Sequence, residues 1–336
     1  MILHIMILDK FLAPFIDFID KNFGRTDHKY VFINNEEYKF GLEKRHDVEF
    51  LNSDEEISII LKEYMYKARK IILHGLWRDR VDNILYHNQI LLKKCYWIMW
   101  GGDFYFPEEK SKIKHEVIKN IEYLLTGTRG DYELVQYWYG AKGKYIKCFN
   151  YPSNIYKEID VQYQKKDTIN IQVGNSADLS NNHLQVFNKL LKYKDENIKI
   201  YCPLSYPYSK KYQNYANEVI RKGNELFGNK FVFFKDFIGY TEYLEILSNI
   251  DIAIFNHKRQ QAFGNIITLL GLGKKVYINK ESTLNNLFNE IDVKTFNFEY
   301  FNLSLLEKDL KNKNIENVKE FYSEKQLIHS LKQYIR

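Results

Sequence analysis

Cysteine and proline are scarce, with three and five in 336 residues. Cys95, Cys148 and Cys202 lie far apart, form no CxxC pair and stand beside no histidine pattern. That excludes a disulfide-stapled scaffold and a zinc ribbon, and it reads as buried thiols in a reduced compartment. With so few prolines and an ordinary 45% apolar and 27% charged residues, a disordered chain is excluded too. No apolar run approaches the roughly twenty residues that cross a bilayer. The opening run MILHIMILDK has no basic residue ahead of its apolar part, so it is expected to be a first strand and not a signal peptide. A one-sided charge is also missing: the net +6 is too small and too scattered for a nucleic-acid partner. HExxH, DxD and GxSxG are all absent, so no metal site and no serine-hydrolase elbow are expected. A cytoplasmic protein is the expectation.

What the chain does have is aromatic residues, 27 Tyr and 23 Phe, and a steady alternation of strand and helix signals. In the first half, strands are expected at Ile2–Leu8, Tyr30–Ile33, Val48–Leu51, Lys70–Leu73, Tyr96–Trp100 and Leu124–Thr126. The spans between them are helical, among them a helix over Phe11–Phe23, one capped by a Ser53/Glu56 box and one opened by Pro107. After the polar stretch Tyr156–Asp167, which reads as a linker, a second alternation begins at Ile169, with strands at Ile198–Cys202, Phe231–Phe234, Ile252–Phe255 and Lys275–Ile278. Strands separated by helices give parallel sheets with right-handed crossovers. The expected fold class is therefore α/β: two Rossmann-like domains, residues 1–152 and 168–314, with parallel sheets facing across a cleft. Residues 315–336 are expected to form one helix crossing back to the first domain.

Two loops of the second half can hold an anion. Ile169, Ile171 and Val173 make a buried strand that stops at Gly174-Asn175-Ser176, and Ser180 or Asn181 can cap the helix that follows. Strand, small polar loop and capped helix aim backbone N–H groups and a helix dipole at one spot, which suits phosphate. An ordinary strand-to-helix turn would read the same way. The second loop runs from Asn256-His257-Lys258-Arg259-Gln260-Gln261 to Gly264-Asn265, where a helix begins. Arg259 and Lys258 supply charge, the helix end supplies amides, and Gly264 permits close approach, as a diphosphate requires. A solvated basic loop is the alternative. Between them, Pro203-Leu204-Ser205-Tyr206-Pro207-Tyr208 offers tyrosines that can stack on a base or simply pack.

In the first half, Trp97-Ile98-Met99-Trp100-Gly101-Gly102-Asp103 sets a carboxylate at a strand end, where it can serve as a general base or cap a turn. His74, at a neighbouring strand end, is the other base candidate, with a structural histidine as the alternative. Phe11, Phe15, Phe18 and Phe23, and Lys110, Lys112, Lys114 and Lys119, can face a membrane surface, or can form core and a solvated face respectively.

Taken in order, these motifs resemble a family. His74-Gly75, WGGD before Phe104-Tyr105, TRGD at Thr128 to Asp131, VGNSADLSNNH at Val173 to His183, PLSYP at Pro203 to Pro207 and RQQAFG at Arg259 to Gly264 are similar to those of the TDP-N-acetylfucosamine:lipid II N-acetylfucosaminyltransferases, glycosyltransferase family 56. They span roughly residues 70 to 285. WGGD and RQQAFG stand where the family has WGAD and RQQGIG. The resemblance implies a GT-B fold and a metal-independent enzyme that moves a 4-acetamido-4,6-dideoxyhexose from a dTDP-sugar to a saccharide on undecaprenyl pyrophosphate, with no cofactor. It implies donor contacts by Gly174, Asn175, Ser176, Arg259, Gln260, Gln261, Gly264 and Asn265, with Tyr206 at the thymine and Glu281 at the ribose. Asp103 and His74 then face the acceptor, and the protein works peripherally at the inner face of the inner membrane in O-antigen, capsule or common-antigen synthesis. A same-fold nucleotide-sugar epimerase and a non-catalytic nucleotide-sugar or glycan-binding module are the rivals.

Overall fold

The computed structural model describes residues 1–33, 42, 45–158, 167–207 and 209–336. Most of the expected linker Tyr156–Asp167 and Tyr208 of the Pro203 loop lie outside these residues. The chain groups into two units, Met1–Ile155 with Glu324–Arg336, and Tyr156–Ser323.

The first unit is built on seven parallel strands: β1 (Ile2–Met6), β2 (His28–Ile33), β3 (Val48–Leu51), β4 (Lys70–His74), β5 (Cys95–Ile98), β6 (Tyr123–Thr126) and β7 (Lys144–Lys147). Their order is β3-β2-β1-β4-β5-β6-β7. The chain works outward from β1 in one direction and then returns to lay β4 on its other side, so β1 and β4 flank the point where strand order reverses. Both faces are covered, as a parallel sheet requires. One core gathers Leu3, Val31, Leu73 and Trp97, and the other Ile2, Phe15, Phe32 and Ile72. Strand β7 was not foreseen: its KYIK sets two half-buried residues between exposed lysines at the sheet edge and carries no apolar run.

The second unit has six parallel strands: β8 (Ile169–Val173), β9 (Ile198–Pro203), β10 (Phe231–Phe234), β11 (Ile252–Phe255), β12 (Lys275–Ile278) and β13 (Phe296–Asn297). Their order, β10-β9-β8-β11-β12-β13, puts the reversal between β8 and β11. Strand β13 is two residues long, too short for a periodic signal.

Several helix boundaries differ from expectation for local reasons. The Ser53/Glu56 box is present, with Glu56 N donating to Ser53 Oγ at 3.1 Å and Ser53 N to Glu56 Oε2 at 2.9 Å. Pro107–Glu109 is one 3₁₀ turn, and the helix starts instead at Lys112, capped by Ser111 Oγ. The expected C-terminal helix is two, Lys308–Phe321 and Glu324–Ile335. The second seats Leu327, Leu331 and Tyr334 in the core of the first unit.

Candidate functional site

Loops after β8 and β11 flank the reversal in the second unit, where open α/β sheets bind ligands. Gly174 turns the chain at φ +67°, and a Cβ there would stand 2.7 Å from His183 Nε2 and 2.8 Å from Asn181 Oδ1. Glycine is required twice over, by backbone and by space. Asn181 organises the turn: its Oδ1 accepts from Asn175 N at 3.2 Å, and its Nδ2 donates to the carbonyl of Asp178 at 3.0 Å and to Ser176 at 3.2 Å. The expected helix cap at Ser180 or Asn181 is replaced. Asp178 Oδ1 caps a 3₁₀ turn at Leu179–Asn181, Asn182 takes a left-handed φ of 52°, and the helix starts at His183.

The amides of this first loop are largely spent inside the protein. Gly174 N donates to Ile254 O at 2.9 Å, Asn175 N to Asn181, and Ala177 N to Tyr206 O at 2.6 Å. The expectation that these N–H groups point jointly at a ligand is corrected on that ground. Among the described residues, amides with no internal acceptor occur instead on the second loop. Ala262 adopts φ 59°, and the helix Phe263–Gly271 makes its first bond from Ile266 N to Ala262 O at 3.0 Å. The N–H groups of Phe263, Gly264 and Asn265 precede that bond and have no intrahelical acceptor.

The two loops are joined. Arg259 Nη2 meets Asp178 Oδ2 at 3.2 Å, Ser180 Oγ donates to Gln261 Oε1 at 2.7 Å, and Asn182 Nδ2 donates to Asn256 O at 2.9 Å. Gly174, Asn175, Ser176, Arg259, Gln261, Gly264 and Asn265 therefore belong to one neighbourhood. Tyr206 joins it by accepting from Asn175 Nδ2 at 2.9 Å, and Asn265 Oδ1 accepts from Tyr243 Oη at 2.7 Å. Gln260 is half-exposed beside them. Glu281 is reached through Lys258, which it pairs with at 3.0 Å on the surface. Two buried histidines floor the site: burial pushes His183 down to about 3 and His257 down to about 4, so both are neutral. Asp178, Asn181 (read only as a possible helix cap), Asn182 and Tyr243 were not among the candidate site residues of the sequence reading. The first three lie inside a motif that was quoted whole, whereas nothing in the sequence ties Tyr243 to it.

In the first unit, Asp103 and His74 are fully enclosed. Asp103 Oδ2 accepts from Leu76 N at 3.0 Å and Trp97 Nε1 at 2.8 Å, and Oδ1 accepts from Trp100 N at 3.1 Å. It pins the loop after β4 to the loop after β5. Burial raises its carboxyl pKa, against the lowering effect of those donors. His74 has both ring nitrogens engaged, by Tyr151 at 2.8 Å and His4 at 3.1 Å, and burial pushes it down to about 3. Neither side chain exposes an atom that could take a proton from a bound hydroxyl. Lys114 is likewise no surface lysine: it is buried against the Leu76 carbonyl at 2.6 Å and Asp82 at 3.2 Å. Phe15 and Phe18 are core residues. Among the described residues, no three His, Cys, Asp or Glu side chains gather as a metal site, and no helix is long and apolar enough to cross a membrane.

Two parallel-sheet α/β units with loops at their strand ends are the GT-B architecture, and solved structures share that fold. A Rickettsia africae glycosyltransferase matches with TM-score 0.69 at 13% identity, covering 99% of this chain and 97% of that one. An E. coli trehalose-6-phosphate structure bound with UDP-2-fluoro glucose matches with TM-score 0.69 at 9% identity, covering 99% and 98%. WaaG, a glycosyltransferase involved in lipopolysaccharide biosynthesis, matches with TM-score 0.61 at 11% identity, covering 99% and 98%. The family comes from the sequence: residues 10–328 match 4-alpha-L-fucosyltransferase glycosyl transferase group 56, and the chain belongs to that family. It is thus a glycosyltransferase, working between a nucleotide-sugar donor and a saccharide acceptor.

Proposed function

We propose that this enzyme transfers a 4-acetamido-4,6-dideoxyhexose from a dTDP-sugar to a lipid-linked saccharide on undecaprenyl pyrophosphate, at the inner face of the bacterial inner membrane. The product would enter a surface polysaccharide. The observation that carries the donor half is that one loop after β11 holds both Arg259, paired with Asp178, and the open amides of Phe263, Gly264 and Asn265, next to the reversal between β8 and β11. A diphosphate leaving group carries charge that a guanidinium and helix-end amides neutralise without a divalent ion. In the ligand-free chain Asp178 neutralises Arg259, and an incoming diphosphate competes for that guanidinium. Gly174, Asn175 and Ser176 shape the wall of the site, and Gln260, Gln261 and Asn265 offer hydrogen bonds to sugar and phosphate. Tyr206 stands for the thymine and Glu281 for the ribose. In the first unit Asp103 and His74 hold the strand-end loops that receive the acceptor, as positioning residues and not as the base. The transferase family sets aside the epimerase and the non-catalytic binding module.

The test is calorimetric titration of dTDP into the wild type and Arg259→Ala. Loss of a charge-assisted contact is expected to weaken binding by about 1.5–3 kcal/mol, roughly ten- to a hundredfold. Equal affinity in a folded variant removes Arg259 from the donor site. A parallel titration with UDP and GDP reads base preference, and indifference to the base removes the dTDP assignment.

A further inference from the structure

Five side chains of the first unit stand in single file. Trp100 Nε1 donates to Tyr151 Oη at 2.9 Å, and Tyr151 Oη lies 2.8 Å from His74 Nδ1. His74 Nε2 lies 3.1 Å from His4 Nδ1, and His4 Nε2 lies 2.9 Å from His28 Nδ1. The file starts in the loop after β5, passes the last residue of β4 and the middle of β1, and ends at the first residue of β2. It therefore crosses the sheet from its carboxyl edge to its amino edge. His4 and His74 are wholly buried, and Phe15 packs edge-on to both rings, at 5.8 and 4.9 Å.

An indole N–H can only donate, so Tyr151 Oη must accept from Trp100. The Tyr151 O–H then has His74 Nδ1 as its acceptor. A neutral imidazole carries one N–H, so His74 must hold its proton on Nε2 and give it to His4 Nδ1. By the same step His4 donates from Nε2 to His28 Nδ1, and His28 keeps its proton on Nε2. The reverse polarity would send two donors to Tyr151 Oη and strand its own proton. Every buried polar atom in the file is satisfied only in this one direction, and such a network specifies a unique arrangement. An apolar trio would pack these sheet positions without any such constraint, and the Trp100–Tyr151 end of the file packs against Phe11 and Trp77, on the loops after β1 and β4, the strand-end reversal where α/β sheets receive ligands.

We infer that Trp100, Tyr151, His74, His4 and His28 form one hydrogen-bonded file, polarised from the indole to His28, that positions Tyr151 and Trp100 at the strand ends for glycosyl transfer. The positioning role rests on the reading that this unit receives the acceptor; the direction of the file does not. All three rings must be neutral, because an added proton sets two N–H groups face to face. Burial lowers all three pKa values, to about 4 at His28. The groups facing the file are Asp27, Arg69 and the terminal amine at His28, Tyr30 at both His4 and His28, and Asp9, Asp103 and Cys148 at Tyr151.

Long-range ¹H–¹⁵N correlation of histidine rings in the ¹⁵N-labelled full chain reads each tautomer. The expected result at pH 7 is Nε2–H at His4, His74 and His28, and an Nδ1–H tautomer at His74 overturns the direction. Trp100→Phe removes the obligate donor, so His74 is expected to show both tautomers; a pure Nε2–H signal there refutes control by the indole. His4→Phe cuts the file away from the strand ends. With dTDP-4-acetamido-4,6-dideoxygalactose and an undecaprenyl-pyrophosphate-linked saccharide, kcat is expected to fall about tenfold while dTDP affinity is kept. Should that variant fail to fold, His28→Phe cuts the same file from its half-exposed end and reads the same way. An unchanged kcat in a folded variant ends the positioning role. If the Trp100 indole signal ignores the same acceptor while the tautomers stay as expected, the acceptor reading fails and the file's direction stands.

Discussion

Replacing Gly174 by alanine separates two costs that coincide at this one position. The first is backbone strain: at φ +67° an L side chain costs about 1–2 kcal/mol. The second is steric, because the new Cβ would sit 2.7 Å from His183 Nε2 and 2.8 Å from Asn181 Oδ1. Both neighbours are fully buried, but His183 opens the helix whereas Asn181 lies on the short turn before it, so Asn181 is the group expected to yield. Moving it loosens its bonds to Asn175 N, the Ser176 side chain and the Asp178 carbonyl. Losing one or two of these adds about 1–2 kcal/mol. The expected total is about 3 kcal/mol, equivalent to a Tm drop on the order of 6–12 °C in the transition of the second unit. Gly140 is the control: it also has a left-handed φ, +65°, but a Cβ there meets nothing within 4 Å. Gly140→Ala should therefore show the backbone cost alone, about 1–2 kcal/mol. Urea unfolding of both variants, followed by dTDP titration of Gly174→Ala, measures the difference. If the two substitutions cost the same, Asn181 is not the organiser of the donor loop and the packing account of this turn is wrong.

Other expectations follow from buried charge. Lys114→Met leaves Asp82 without its 3.2 Å partner and should cost about 3–5 kcal/mol at pH 8. Burial already lifts the Asp82 carboxyl to about 6, so the penalty should shrink by pH 5 as it takes a proton; an equal penalty at both pH values contradicts this account. Asp103→Asn puts an N–H where Leu76, Trp97 or Trp100 donates, at a cost of about 2–3 kcal/mol seen in denaturant, with dTDP affinity unchanged. Weakened dTDP binding would place Asp103 in the donor site instead. Acid should destabilise the second unit through His183 and His257, whose folded pKa values of about 3 and about 4 lie below the free value of 6.5. The unfolded chain then binds more protons, so this stability is complete above about pH 6.5 and is lost as pH falls toward 4, by at most about 1.4 kcal/mol per pH unit per ring. A flat stability curve from pH 7 to 5 refutes it.

Much of the architecture was legible because it is local. Apolar β-branched runs such as Ile169–Val173 and Ile252–Phe255 mark strands, the Ser53/Glu56 box marks a helix start, and the alternation of the two signals marks parallel α/β units. The resemblance carried by VGNSADLSNNH, RQQAFG and the other motifs in order pointed to the family that residues 10–328 match. Edge strands β7 and β13 carry too little apolar sequence to announce themselves.

What only the tertiary structure decided is which strands are neighbours and what burial does to a polar side chain. Strand order is set by long-range pairing, so nothing in the sequence brings Arg259 to Asp178, 81 residues away, or opens the amides of Phe263–Asn265 while those of Gly174 and Asn175 are consumed. A strand-end Asp or His looks the same in sequence whether it faces solvent or three internal donors. Asp103 lies inside because the loops after β4 and β5 close over it, and His74 because Phe15, His4 and Tyr151 pack around its ring. The sequence determines which residues stand at the ends of strands, since periodicity and turns are local properties; folding determines which way they point, because that depends on partners far along the chain.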